Sequence, residues 1–408
     1  MSKKFNVAVV GLRFGAGFVP HFMAHPSVDK VYLCDLNKEQ LEKVASQYEL
    51  PKIGSFDEIL LRDDIQAVAI FTPRHTHAPL TISALNAKKH VYSAVPMGIS
   101  VEECEEIIKA VEKNHRVYMT GETCIYYPSS IFCKREHKKG TFGKFVYGEA
   151  QYIHDLSHFP KTFIDDRPHS AIPPFYYACH STGMMLNACG GHVTRVTAFG
   201  YKDEEENTPF VIGENPWDNE FSNEMALMQL SNGGTIRILE GRRMAYRAPS
   251  SCVSAFYGTE GTYQFSNAQH LVTNRGWVKK DGKDIYGITV NDVSESINSY
   301  KMTEMKGEPD FKQRVGNNEW QWDEPSPIQE EEFSRLPKEY DGLIEGHQCS
   351  HKLLIDDFCT AIRDNKMPPC NAWDSARYTI PGIVAHESAV KGGIPLDVPD
   401  FGDAPEEI

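Results

Sequence analysis

The sequence predicts an α/β protein in two domains. A doubly wound parallel sheet occupies residues 1–124, and an α+β domain with an open-faced, mostly antiparallel sheet occupies 125–408. Three observations carry that reading. A short apolar run at the N-terminus ends in a glycine-rich turn, and strand and helix patterns then alternate as far as residue 124. Beyond residue 145 strands follow one another, with an Asn-Gly pair at 232–233 of the kind that closes a hairpin.

The first element, Phe5–Val10, is a continuous apolar run that suits a buried parallel strand. It ends at Gly11-Leu12-Arg13-Phe14-Gly15-Ala16-Gly17, followed by an apolar helical segment, Phe18–Ala24, and a strand, Lys30–Cys34, that stops at Asp35. Strand, glycine turn, helix, strand and acid make a dinucleotide-binding βαβ unit of the Rossmann type. Glycines admit the pyrophosphate, the helix N-terminus offers N–H groups, and the carboxylate accepts from a ribose diol. The usual spacing would put glycines where Arg13 and Ala16 stand, so Gly15 and Gly17 are offset. Gly11, Arg13, Phe14, Gly15, Ala16 and Asp35 are the candidate cofactor contacts. Asp35 selects NAD over NADP, because it repels a 2′-phosphate; it can equally begin the helix after Asn37.

The alternation continues with helices Lys38–Tyr48 and Phe56–Leu61 and the buried strand Ala67–Phe71. That strand ends in the loop Thr72-Pro73-Arg74-His75-Thr76-His77, on the sheet edge where ligands bind in such folds. Helix Pro79–Asn86 leads to strand His90–Val95. Ser100-Val101-Glu102-Glu103 is a capping box for a helix to Lys113, and strand Val117–Thr120 reaches Glu122. Thr72, Pro73, His75, His77, Ala94, Pro96 and Glu122 thus join the cofactor candidates. In the second half, Phe145–Ile153, Val193–Tyr201, Met225–Leu230, Thr235–Glu240, Ser251–Gly258 and Thr262–Phe265 read as strands, interrupted by one helix, His180–Ala188. Residues 267 to about 340 read as polar and irregular, and helices Lys352–Arg363 and Ala372–Lys391 close the chain.

Composition excludes several classes. Net charge is −14 with no basic run, which argues against nucleic acid and anionic membranes, and no apolar run approaches the ~20 residues of a membrane span. The chain enters a strand almost at once, with no signal peptide. The ten cysteines include no C-x-x-C pair, which predicts reduced thiols and a cytoplasmic location.

Taken together, Thr72-Pro73…His77, Ala84-Leu85…His90-Val91, Lys139-Gly140-Thr141-Phe142-Gly143, Gly258-Thr259-Glu260-Gly261 and Ser388…Gly392-Gly393-Ile394-Pro395-Leu396-Asp397-Val398 resemble the glucose–fructose oxidoreductase, inositol dehydrogenase and MocA family. The resemblance covers residues 5–265 and 350–398. It implies a nicotinamide-dependent enzyme acting on a sugar, polyol or glycoside, with the second sheet mediating a homodimer or homotetramer. Two departures stand out. The family's Glu-Lys-Pro is Ala94-Val95-Pro96, which removes a lysine that acts on the substrate hydroxyl. Its Asp-x-Gly-x-His is Tyr176-Tyr177-Ala178-Cys179-His180, which keeps the histidine only.

Removing a proton from a hydroxyl as hydride leaves needs a base near neutrality, and histidine is the default. His180 is therefore the candidate catalytic residue, against a structural role at a helix start. The resemblance puts Tyr126 and Tyr127 near substrate and nicotinamide, in the absent lysine's role; as domain-interface aromatics they would do neither. His154, Asp155, Tyr177, His347 and His351 are candidates for binding substrate hydroxyls. Strand alternation puts Tyr152 and His154 on one face, while Asn219, Asn223 and Arg242 read most simply as exposed strand polars. These histidine segments lack tight ligand spacing, so no metal is expected. The leading expectation is an NAD-dependent oxidoreductase acting on a ring hydroxyl of a sugar, sugar acid or glycoside. Its rivals are a glycosidase that oxidises its substrate transiently, with Tyr127 or His154 as a second acid/base, and a cofactor-binding protein without catalysis.

Overall fold

The computed structural model describes residues 4–154, 156, 167–244, 251–266, 269–300, 303, 325–343 and 346–406. Strands β1 to β5 run Phe5–Val10, Val28–Cys34, Ala67–Ile70, His90–Ser93 and Tyr118–Thr120 and form one parallel sheet in the order β2-β1-β3-β4-β5. Val7, Val9, Ala67, Val68 and Ile70 are inaccessible to solvent, because helices cover both faces, and this is why these strands are apolar throughout. The strand order reverses between β1 and β3. Gly11 and Phe71 leave those two strands at their carboxyl ends, where such sheets open a ligand crevice.

The connecting helices are α1 (Leu12–Gly15), α2 (Val19–Ala24), α3 (Lys38–Tyr48), α4 (Phe56–Leu61), α5 (His77–Asn86) and α6 (Val101–Asn114). The expected helix Phe18–Ala24 is α2, with Pro20 in its first turn, and the glycine turn ahead of it holds the short α1 as well. Asn37 caps α3 by accepting from Glu39 and Gln40 N–H. Ser100 caps α6 by accepting from Glu103 N–H, but the Glu103 carboxylate reaches Ile99 N–H at 2.7 Å, one residue short of a reciprocal box.

The second sheet has nine strands: β6 (Phe145–Ile153), β7 (Val193–Lys202), β8 (Phe221–Leu230), β9 (Thr235–Gly241), β10 (Ser251–Gly258), β11 (Gly261–Ser266), β12 (Gln269–Lys280), β13 (Lys283–Asp292) and β14 (Leu396–Asp397). All pairings are antiparallel except β6 with β9. The stretch read as irregular from 267 is, over 269–292, a long hairpin. Asp281 and Gly282, at φ 52° and 77°, are the Asp-Gly turn that closes it. Helix α7 (Pro128–Lys138) was also missed, because its buried residues all fall in its first six positions and leave no stripe along its length. Helices α8 (Cys179–Cys189), α9 (His351–Asp364) and α10 (Ala372–Val390) complete the chain. One sheet face packs on α8 and α10; the other exposes Phe199, Met225 and Leu227 in adjacent strands. Among the described residues no helix is long and apolar enough to cross a membrane.

Candidate active site

The glycine turn is built for a close backbone approach. Gly11 sits at φ 87°, and a Cβ there would lie 2.7 Å from the Phe71 carbonyl oxygen; a Cβ on Gly15 would lie 2.7 Å from the Phe71 ring. Asp35 organises this turn. One carboxylate oxygen accepts from Leu12 N–H at 2.6 Å and the other from Asn37 N–H at 2.7 Å. Asn37 itself, not Asp35, is the residue that caps α3. The Gln40 amide donates to Leu12 carbonyl at 2.9 Å, which ties the turn to α3. These residues fit a dinucleotide: a tight glycine bend, free approach to backbone N–H groups, and a carboxylate at the end of β2.

Asp35→Ala is expected to weaken NADH binding about 10–100-fold, as a hydrogen bond to a charged group is worth about 1.5–3 kcal/mol. Titration of bound NADH fluorescence checks this. Tighter binding of NADPH than of NADH by the unmutated protein would contradict the role given to Asp35.

Past this turn lies a cavity with two kinds of wall. Phe14, Phe18, Phe71, Tyr92, Ala94 and Val95 make it apolar on the cofactor side; Thr72, Arg74, Thr123, Tyr177 and His180 supply polar groups. Phe71 stacks on Phe18 with ring centroids 4.5 Å apart. Gly121 also lines the cavity, and its missing side chain leaves room for the Tyr92 hydroxyl. Val95, between Ala94 and Pro96, is buried and presents an apolar side chain to the cavity.

His180 stands in the first turn of α8, almost fully buried. Its Nδ1 lies 2.5 Å from Glu122 Oε1, which also accepts from Cys124 N–H at 3.0 Å. A carboxylate that accepts from Nδ1–H leaves the lone pair of the neutral ring on Nε2, which makes no hydrogen bond among the described residues. Tyr152 and Tyr177 pack on the ring at 4.6 and 4.8 Å between centroids. Among the described residues the second Glu122 oxygen is buried without a hydrogen-bond partner. With Cys124 these two residues bring three potential ligand atoms within 4.8 Å of one another. Burial pushes the Cys124 thiol well above its ordinary range.

The other candidates separate into three groups. Thr72, His77 and Ala94 line the cavity, and His77 also clamps two strand ends, with Nδ1 2.9 Å from Pro96 carbonyl and Nε2 2.8 Å from Thr72 carbonyl. His154 stacks on Tyr152 at 5.6 Å, as alternation requires, and burial and Arg242 push it down to about 3. Tyr177 faces His180 and carries the Arg74 guanidinium 4.4 Å above its ring.

A second group lies elsewhere. The Tyr126 hydroxyl donates to Asp357 and accepts from Arg335 at 3.2 Å, away from the cavity lining, so the expected catalytic placement does not hold. Tyr127 is fully buried behind Thr123, 3.4 Å from its hydroxyl, and burial keeps its phenol protonated. His347 and His351, expected at the substrate, contact each other at 3.0 Å and pack on Phe14, on the cofactor side. Burial pushes His347 down to about 4 and His351 well below its ordinary range. His75 stacks on His169 at 4.9 Å. Asn219, Asn223 and Arg242 are buried rather than exposed, since the loops ahead of β8 and after β9 fold over the sheet's end; Asn219 donates to Ala171 and Phe221 carbonyls, and Asn223 to Arg243 carbonyl. Asp155 lies outside the described residues. Sequence reasoning missed a third group, Arg74 and Thr123 in the cavity wall, although both follow directly from strand ends at the ligand edge.

Residues 5–122 match the family model GFO_IDH_MocA, described as the oxidoreductase family with an NAD-binding Rossmann fold. A glycosyl hydrolase family 109 protein of Saccharopolyspora erythraea is 22% identical over 97% of this chain and 83% of its own length. Another, from Shewanella pealeana, is 33% identical over 36% of this chain and 34% of its own length. Among solved structures, levoglucosan dehydrogenase in complex with NADH and levoglucosan aligns with a TM-score of 0.67 at 18% identity, covering 98% of this chain and all of that one.

Proposed function

We propose that this chain is an oxidoreductase of the Gfo/Idh/MocA family that oxidises a ring hydroxyl of a carbohydrate, with His180 as the base; the match of residues 5–122 to the oxidoreductase family with an NAD-binding Rossmann fold supports this reading. The Glu122–His180 pair, set in the wall of the cavity beyond the glycine turn, is the observation that carries this reading. Bound NAD supplies the hydride acceptor. Glu122 fixes the histidine tautomer, so Nε2 can take the hydroxyl proton, and the carboxylate then faces the imidazolium it helps to form. The lysine that relatives use is here a buried valine, so the histidine–glutamate pair carries proton transfer without it. Tyr177 and Arg74 present polar groups to the remaining substrate hydroxyls.

A second reading shares the first step and is favoured by relatives of nearly full length that are named for glycoside hydrolysis. Oxidation next to the reacting carbon would acidify its C–H bond, elimination would expel the aglycone, and re-reduction would follow addition of water. His154 stacks on Tyr152, whose ring packs on His180, so a second imidazole lies one ring from the first. Incubating the NAD-loaded protein with a panel of sugars and glycosides separates the two readings. Net reduction of the cofactor supports the first, and aglycone release without net reduction the second. No change in either across the panel would overturn both.

The same reading extends to assembly and compartment. The exposed rows Phe199–Met225 and Leu227 on the uncovered sheet face support a homodimer or homotetramer through that face. Light scattering at micromolar concentration is expected to give at least twice the 46.0 kDa chain mass; a monomer would contradict this. The ten cysteines, all buried and none in a disulfide, support a reducing cytoplasm.

A further inference from the structure

We propose that the substrate carries a carboxylate and that Arg74 receives it. This rests on the carbohydrate reading of the same cavity. Arg74 lies in the cavity wall, half-buried, with its guanidinium 4.4 Å above the Tyr177 ring, and the other side of that ring system meets His180 at 4.8 Å. A group held by Arg74 is thus one aromatic ring away from the proposed base.

The guanidinium has no carboxylate partner among the described residues. Arg62, Arg237, Arg335 and Arg377 are each bonded to an aspartate or glutamate, at 2.5 to 2.7 Å for the shorter contacts. An arginine left unpaired in a concave wall of a chain with a net charge of −14 is a feature of the cavity, not of the general surface. The buried Arg242 lies 5.3 Å from the same ring, with Glu240 3.5 Å away, whose carboxyl burial pushes well above its ordinary range. The 74–76 turn is also rigid: Thr72 and Thr76 hydroxyls bond at 2.6 Å, and Thr76 donates to Pro73 carbonyl at 2.6 Å. One planar fork on a fixed turn, stacked on a tyrosine, matches a planar monoanion.

The test uses the protein loaded with NADH and follows its fluorescence while hexuronates, their parent hexoses and hexose phosphates are titrated. The expected result is about tenfold or tighter binding of uronates over hexoses, since charge-assisted contacts are roughly twice as strong as neutral ones. In R74Q the ratio should fall to near one with NADH affinity unchanged, and R74K should retain part of it. The proposal is overturned by equal or better binding of the neutral sugars, by absence of binding, or by preference for the phosphates. It is equally overturned if the ratio survives in R74Q, or if R74Q weakens NADH instead, which would assign Arg74 to the cofactor's pyrophosphate. Oxidation of neutral sugars alone overturns the carboxylate and leaves the carbohydrate reading standing. Uronate binding through Arg74 with no cofactor reduction on any carbohydrate does the reverse.

Discussion

Replacing Glu122 by Gln is expected to slow turnover by about 10²–10⁴-fold while NADH binding stays near its original strength. The amide is the same size, but Cys124 N–H and His180 Nδ1 both meet one Glu122 oxygen, Oε1. An amide oxygen there keeps both contacts and removes the negative charge that would balance the imidazolium. An amide nitrogen there would face Cys124 N–H donor to donor and could only donate to Nδ1, which moves the ring proton to Nε2 and removes the lone pair that should take the substrate proton. Either orientation weakens the base, and substituting an orienting carboxylate by its amide can cost up to ~10⁴ in rate. Steady-state kinetics with NADH titration checks it, and an E122Q enzyme of undiminished rate would show that the pair is structural.

His180→Ala is expected to lower turnover by about 10²–10⁴-fold, the usual range for a positioned acid or base. The side chain between Ala94 and Pro96 is the buried, apolar Val95, which cannot share the load, and this argues for the upper part. NADH affinity should persist, since the cofactor contacts proposed above lie at Gly11–Gly17 and Asp35. Burial holds His154 and His347 down to about 3 and about 4, and His77 and His351 are also lowered, so these rings keep their charge state near pH 7 and the two proteins can be compared at one pH. If H180A fails to fold, H180Q, which keeps an amide group in the α8 turn, allows the same comparison.

The first domain was legible almost to the residue because each of its signals is local. Phe5–Val10 is apolar throughout since both faces of its sheet are covered, and Asp35 ends a strand two residues before a helix cap. The β12–β13 hairpin was hidden because its strands are exposed, with Trp277, Tyr286, Ile288 and Val290 all open to solvent, so no buried face imposes an alternation to read. In the site, His180 could be singled out from its place at a helix start. Its partner Glu122 is 58 positions away, and only the packing of α8 on the first domain's last strand end joins the two. Tyr126 failed for the converse reason. Its place in the sequence is near the cavity, but Asp357, 231 positions on, captures its hydroxyl. Asn219, Asn223 and Arg242 looked like surface residues because what buries them comes from distant segments of chain.

The most direct measurement of the central claim is the first turnover. Protein loaded with NAD⁺ is mixed rapidly with an oxidisable carbohydrate, and the near-ultraviolet absorbance of bound reduced nicotinamide is followed in the unmutated protein and in H180A at matched cofactor occupancy. The expected result is a prompt rise in the unmutated protein, and one slowed by about 10²–10⁴-fold in H180A. Equal rates in the two proteins would contradict the assignment of proton removal to His180 and its Glu122 partner.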